Sequence, residues 1–282
     1  GDLGRKNKPI IRDPATNVGA PDYIVLESTY GNRLHENTDE AMEILAKVVK
    51  RARDTGGKII IPAFAIERTQ ELVYYFHLLF EQRKIPEIPI YVDSPMATNA
   101  TSIFQVHPEC YDEETHKAFL THHKNPFGFN SLRFTQSVEE SKHLNELEGP
   151  MIIISADGMC EAGRIVHHLY NNIEDPNTTI LLVGFMAENT LGRRLQNGEE
   201  EVKVIGEWKK VRAKIEQINA FSAHADYQET LDWLKEIDTS RLKKIFLVHG
   251  EKAAQKNLTK VLNENGFNDV EVISYGRTYI LD

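Results

Sequence analysis

Phe221-Ser-Ala-His-Ala-Asp226 and Ile245-Phe-Leu-Val-His-Gly-Glu251 are the stretches on which the reading of this chain turns. The apolar run Ile245 to Val248 has the character of a fully buried strand. It halts at His249, and a helix-type pattern starts at Glu251, after Gly250. A histidine so placed sits at the rim of a sheet, where α/β proteins gather chemistry because side chains from several strands converge there on rigid supports. The first stretch repeats the plan. Ile218 to Phe221 is strand-like, and Asp226 with Glu229 forms an N-cap and capping-box pair for a helix through Trp233. A single histidine before a glycine is ordinarily a turn residue. Two of them, each at a strand-to-helix junction, make a candidate site if their strands are neighbours.

The composition is that of a globular protein: 282 residues, 41% hydrophobic and 27% charged, enough for one large or two ordinary domains. No apolar run reaches membrane-spanning length, and Gly1-Asp-Leu-Gly-Arg-Lys6 has no signal core, so no membrane partner is expected. With only Cys110 and Cys160, a disulfide framework is not expected and a reducing cytoplasm fits. A formal net charge of −9 argues against nucleic-acid binding through bulk positive charge. Phosphate binding would have to be local, through metal ions, helix N-termini and a few arginines. A chain that opens on Gly1-Asp2 without Met and soon enters strand-like sequence is expected to be the remainder of something longer.

Tyr23 to Leu26 is a short apolar strand ending at Glu27, before the polar turn Ser28-Thr-Tyr-Gly31. From the residues alone, Glu27 is either a rim carboxylate or a cap of that turn. From Asn32 to about Gly206, strand-helix units repeat. Ala41, Ile44, Leu45, Val48 and Val49 trace one helical face, and Leu72, Val73, Phe76, Leu79 and Phe80 another. Lys58 to Ile61, Ile90 to Val92, Met151 to Ile154 and Ile180 to Val183 are the strands. This alternation predicts a mostly parallel sheet covered on both faces. Leu120 to Phe134 is the expected long loop. Each strand runs into polar or small residues, the richest turn being Ser155-Ala-Asp-Gly-Met-Cys-Glu-Ala-Gly163-Arg164, where glycines permit close backbone approach and Arg164 can pair with phosphate. It is neither a Walker sequence nor a G-x-G-x-x-G fingerprint. A Rossmann-like nucleotide or sugar-phosphate pocket is one reading of it. The alternation Val211, Ala213, Ile215, Ile218 suggests strands returning to the first sheet, and Val270 to Ile273 and Tyr279 to Leu281 would end the chain as strands, with exposed edges at which two copies can pair as a homodimer.

Glu27-Ser-Thr-Tyr-Gly31, Ser222-Ala-His-Ala-Asp226 and Val248-His-Gly-Glu251, in this order around an α/β insert, resemble signature segments of the β-CASP branch of metallo-β-lactamase-fold nucleases. That branch includes the RNA 3′-end-processing endonuclease subunit and its bacterial and archaeal relatives. The resemblance implies an α/β fold: the C-terminal half of a metallo-β-lactamase αββα sandwich (residues 1–31 and 207–282) with an inserted Rossmann-like parallel α/β β-CASP domain (32–206). It implies zinc-dependent RNA phosphodiester hydrolysis, endonucleolytic with 5′-to-3′ exonucleolytic cleavage as a further mode in the family, and two Zn2+ ions per site. Asp2, matching the family's Gly-Asp pair, and His249 would be metal ligands. His224 would be the general acid, oriented by Glu27, because a carboxylate beside an imidazole stabilises its protonated form. Arg68, Ser155, Gly158, Gly163, Arg164, His167 and Arg193 would hold the RNA backbone. DNA-directed members usually have an aliphatic residue where this chain has His249, which tilts the substrate towards RNA.

One departure is large. The family's His-x-His-x-Asp-His segment is missing from the chain. His122-His123 and His167-His168 do not replace it, since adjacent residues on a helix or strand do not converge on one ion. In the second pair, one ring is expected to face the sheet and one the substrate phosphate. The expectation is a fragment that binds zinc poorly and cleaves slowly if at all. An inactive scaffold subunit of an RNA-processing assembly is the alternative of a different class.

Overall fold

The computed structural model describes residues 1–121 and 127–281. In chain order its elements are β1 (Tyr23–Glu27), α1 (Thr38–Thr55), β2 (Lys58–Pro62), α2 (Arg68–Glu81), β3 (Ile90–Asp93), α3 (Pro95–Val106), α4 (Glu113–Thr121), β4 (Leu132–Phe134), α5 (Val138–Glu146), β5 (Met151–Ser155), α6 (Ile165–Asn172), β6 (Thr179–Val183), α7 (Leu191–Gln196), β7 (Glu201–Val204), β8 (Glu207–Lys210), β9 (Lys214–Ile218), α8 (Tyr227–Glu236), β10 (Lys244–Val248), α9 (Lys252–Glu264) and β11 (Val270–Val272). They divide into two compact units, residues 1–35 with 223–282, and residues 36–222. None of the helices is long and apolar enough to cross a membrane among the described residues.

The first unit is built on a parallel sheet of order β1-β10-β11, with Glu27 beside Val248 in register. Alternation puts Ile24, Leu26, Ile245 and Leu247 on one face, where Leu231 and Leu234 of α8 and Leu258 and Leu262 of α9 close over them. Asp226 caps α8 through Gln228 and Glu229 N–H, and Glu229 returns a hydrogen bond to the Asp226 N–H, the reciprocal box its sequence spacing predicts.

The second unit carries a six-stranded, all-parallel sheet of order β4-β3-β5-β2-β6-β9. Every residue of β2, β5 and β6 is buried, as expected of central strands whose two faces are both covered. Ile60, Ile180 and Leu182 pack with Ile165 and Leu169 of α6 and Leu191 and Leu195 of α7.

Three expectations need correction. Residues 207–218 do not return to the first sheet: β8 pairs with β7, and β9 extends the parallel sheet alongside β6. Alternation in 211–218 marks a strand but does not choose its partner, and the register from Thr179 with Lys214 to Val183 with Ile218 made that choice. Residues 279–281 form no strand; Tyr279 instead turns its ring edge onto Phe246 at 5.5 Å. The stretch expected as a loop from Leu120 ends in β4, with Leu132 beside Ile90. His122 and His123 lie outside the described residues.

Asp93, at the C-terminus of β3, is fully buried and receives hydrogen bonds from Ser141 Oγ (2.6 Å), His168 Nε2 (2.6 Å), Arg164 (2.7 Å) and Thr135 Oγ1. Burial alone would raise its carboxyl, but the donors, His168 first, outweigh this and hold it at about 2. A depressed carboxyl contributes stability that is present above the unfolded range, near 3.8, and lost as pH falls through about 2. Asp93→Asn should cost about 3–5 kcal/mol at neutral pH, since it leaves buried partners uncompensated. Thermal melts should show the gap to the parent closing between those two pH values. Glu67, before α2, has φ 67° and ψ −61°, a positive-φ γ-turn conformation that costs a glycine less than a residue with a side chain. Glu67→Gly should therefore stabilise the protein by about 1 kcal/mol in chemical denaturation, strain relief exceeding the entropy lost.

Candidate functional site

The first unit brings four sequence-predicted residues together. Asp2, Glu27, His224 and His249 each offer a ligand atom, and these atoms all lie within 4.8 Å of one another. Each arrives differently. Glu27 is the last residue of β1, and His249 follows the last residue of β10, its neighbour, so adjacent parallel strands deliver both to one rim. Gly250 lets that rim close: a Cβ there would meet Ser28 Oγ at 2.5 Å and Ser28 O at 2.6 Å. Ser28 Oγ donates to Val248 O (2.6 Å) and Thr29 Oγ1 to His249 O (2.9 Å), clasping the turn in which His249 adopts a left-handed φ of 50°.

His224 is delivered otherwise than expected. The strand preceding it, β9, belongs to the other sheet and is no neighbour of β10. The loop before the α8 cap carries His224 in, and its ring meets that of His249 edge-on, centroids 4.9 Å apart. The carboxylate fixes it: His224 Nδ1 donates to Glu27 Oε2 at 2.7 Å. Glu27 is 1% exposed, and its other oxygen accepts from Leu3 N–H (2.7 Å), Gly4 N–H (3.4 Å) and Ala225 N–H (3.5 Å). The N-terminal residues run beside β1, with Glu27 N–H donating to Gly1 O at 3.2 Å and the Gly1 amino group donating to Val25 O. This brings Asp2 Oδ1 to 2.9 Å from His249 Nδ1.

The side chains of Asp2 and His249 are 62% and 55% exposed, whereas Glu27 is consumed by internal donors. Carboxylate and imidazole are zinc-ligand types, but two groups fall short of the three or four protein ligands a zinc site uses. Asp2 and His249 therefore fit as part of a metal site, with Glu27 committed to His224.

The expected backbone-binding residues, all in the second unit, separate into two groups. Arg68 is buried in an ion pair with Glu71, Ser155 is buried with its hydroxyl donating to Asp93 O (2.9 Å), and Gly158 is buried beneath Phe64. These three are largely withdrawn from solvent in the described structure. Gly163, Arg164 and His167 line an open groove of about 870 Å3 with Lys142 and Tyr170. Gly163 at φ 77° permits an approach in which a Cβ would lie 2.4 Å from Ala156 O. Of the histidine pair, His168 is buried against Asp93 and Asn145 and His167 is exposed. Arg193 donates to Met186 O (2.6 Å) and lies over Phe185 at 5.5 Å. Reading by motif missed the Asp93 network and His35, which binds the His224 carbonyl. Asp93 was visible as a strand-end acid, but nothing in sequence marks His35.

Comparison with known proteins agrees with this layout. Residues 69–195 match the Beta-Casp domain, and residues 208–273 match the domain described as Zn-dependent metallo-hydrolase RNA specificity domain. The chain is 34% identical over 276 residues to Ribonuclease TTHA0252 of Thermus thermophilus, covering 98% of this chain and 62% of that protein. It is 30% identical over 254 residues to an RNase J-like protein of Methanocaldococcus jannaschii, covering 89% and 57%. It is 30% identical over 250 residues to Transcription termination factor FttA of Methanosarcina mazei, covering 86% and 39%. The chain thus spans between two fifths and three fifths of the length of these relatives. With both domain matches in chain order and Glu27, His224 and His249 assembled at one rim, the chain belongs to the β-CASP family of metallo-β-lactamase-fold proteins.

Proposed function

We propose that this chain carries part of the active centre of a zinc-dependent ribonuclease that hydrolyses RNA phosphodiester bonds endonucleolytically. One observation carries the reading: His224 is bonded to a buried carboxylate at 2.7 Å and stands ring to ring with His249, the candidate metal ligand facing Asp2. The Thermus relative is named a ribonuclease, which supports RNA as the substrate.

In this reading Asp2 and His249 would hold zinc as two of its protein ligands. Zinc, when bound, supplies a water acidic enough to act as nucleophile and charge to clamp phosphate oxygens. His224 hands a proton to the leaving oxygen. Its Nδ1 is committed to Glu27, which leaves Nε2 as the atom that exchanges the proton. Glu27 fixes the tautomer and the ring plane, and it is itself fixed by the Leu3 and Ala225 N–H groups. Gly163, Arg164, His167 and Arg193 contact the RNA backbone. The open edge of β11, terminal in its sheet, supports pairing of two copies as a homodimer. An inactive scaffold subunit has no need of a histidine held on a buried carboxylate, and that contact favours the enzyme.

Two substitutions in the full gene product separate the roles. His224→Ala should lower the cleavage rate of end-labelled RNA by about 10²–10⁴-fold with zinc content unchanged. His249→Ala should lower zinc content, measured by metal analysis after dialysis, together with the rate. Equal zinc loss in both variants, or RNA left intact by the zinc-loaded parent protein, would sink the reading.

A further inference from the structure

His35 lies in the first unit, eight residues beyond Glu27, and belongs to none of the motifs. Its side chain is 2% exposed and its ring lies against that of Tyr30, centroids 4.5 Å apart. Nε2 stands 2.9 Å from the main-chain oxygen of His224. A carbonyl only accepts, so Nε2 bears the proton and Nδ1 is the bare nitrogen. Nδ1 is buried with no hydrogen-bond partner among the described residues. Leaving one ring nitrogen unsatisfied is costly. The main chain of His35 acts on the same loop: its N–H donates to Asp226 Oδ2 at 3.0 Å, and Asp226 forms a bridge with Tyr30. His35 therefore grips residues 224–226 at both ends.

We propose that His35 is a positioning residue for His224: its Nε2–H tethers the His224 main chain while Glu27 tethers the His224 ring. Two anchors, one on the backbone and one on the imidazole, define where His224 Nε2 points. A ring held by Glu27 alone could follow the loop away from the reacting bond, and an offset of about 1 Å at such an atom is enough to cost about a hundredfold in rate. The importance of that aim rests on the reading of His224 as proton donor; the tether does not.

The surroundings keep His35 in its single-donor form. Burial, and next the Arg5 guanidinium, lower its pKa to about 4, against smaller opposing effects of the His224 carbonyl and Asp226. Asp226 and Glu229 lie close enough to His35 to suggest a second metal cluster, within 4.8 Å. Their oxygens are already spent. Asp226 accepts from the N–H groups of His35, Gln228 and Glu229, and Glu229 accepts from Arg5 Nε (2.9 and 3.1 Å) and Asp226 N–H. The cluster is an anchor for the loop, and His35 is its link to His224.

His35→Ala and His35→Gln in the full gene product test this, because a glutamine amide can donate to the same carbonyl as Nε2. The readout independent of cleavage is the proton resonance of the His224 Nδ1–H, deshielded by its bond to Glu27 and identified by its loss in His224→Ala. His35→Ala should broaden or abolish it while unfolding as cooperatively as the parent, and turnover of labelled RNA should fall at least about tenfold with KM within about twofold. His35→Gln should keep the resonance and most of the turnover. A folded His35→Ala variant with the resonance intact and turnover unchanged overturns the proposal, as does a folded His35→Gln variant that has lost the resonance. Should the resonance respond as expected while the parent protein cleaves no RNA, the tether stands and the ribonuclease reading falls.

Discussion

A carboxylate buried at the end of a strand has to be solvated by protein, and that requirement at Glu27 organises the first unit. With 1% of the residue exposed, both oxygens need donors, because an uncompensated buried anion costs several kcal/mol. The donors come from chain segments far apart in sequence: Leu3 and Gly4 at one end, His224 and Ala225 towards the other. Satisfying one acid thus fastens the N-terminal residues along β1, brings Asp2 to His249, and locks the His224 ring. The same contacts that stabilise the unit aim its reactive groups.

The second unit applies the same solution at a different place. Asp93 ends β3 as Glu27 ends β1, is equally buried, and collects Thr135, Ser141, Arg164 and His168 around it. Here its network ties α5, α6 and the turn before α6 to the C-terminal rim of the sheet. Arg164, drawn in by Asp93 and by the Gln136 carbonyl, still lines the groove with His167. A cation already paired with a buried acid is held in one rotamer, which lowers the entropy lost when it meets an anionic ligand.

The strands and their types were legible along the chain. Ile59 to Ile61, Met151 to Ile154 and Ile180 to Val183 read as buried parallel strands, and they lie at the centre of the six-stranded sheet. Strand partners were not legible. β9 has an ordinary alternating pattern that would fit either sheet, and its place beside β6 follows from backbone pairing between residues 35 positions apart, which no local pattern encodes. Nor was the pairing of Arg68 legible: it is buried with Glu71, one turn on, as its ion-pair partner.

By itself the sequence determined the chemistry on hand: which residues are acids, imidazoles and glycines, and that each key one follows an apolar run or precedes a helix cap. Those are local properties, set by side-chain type and by spacing along one element. Tertiary structure set the 2.7 Å hydrogen bond from His224 Nδ1 to Glu27, and it alone decided that His224 comes in on a loop instead of a neighbouring strand and that His35 holds it from behind the motif. The reason is that a hydrogen bond between residues 189 or 197 positions apart depends on how distant elements pack, and packing is a property of the whole fold.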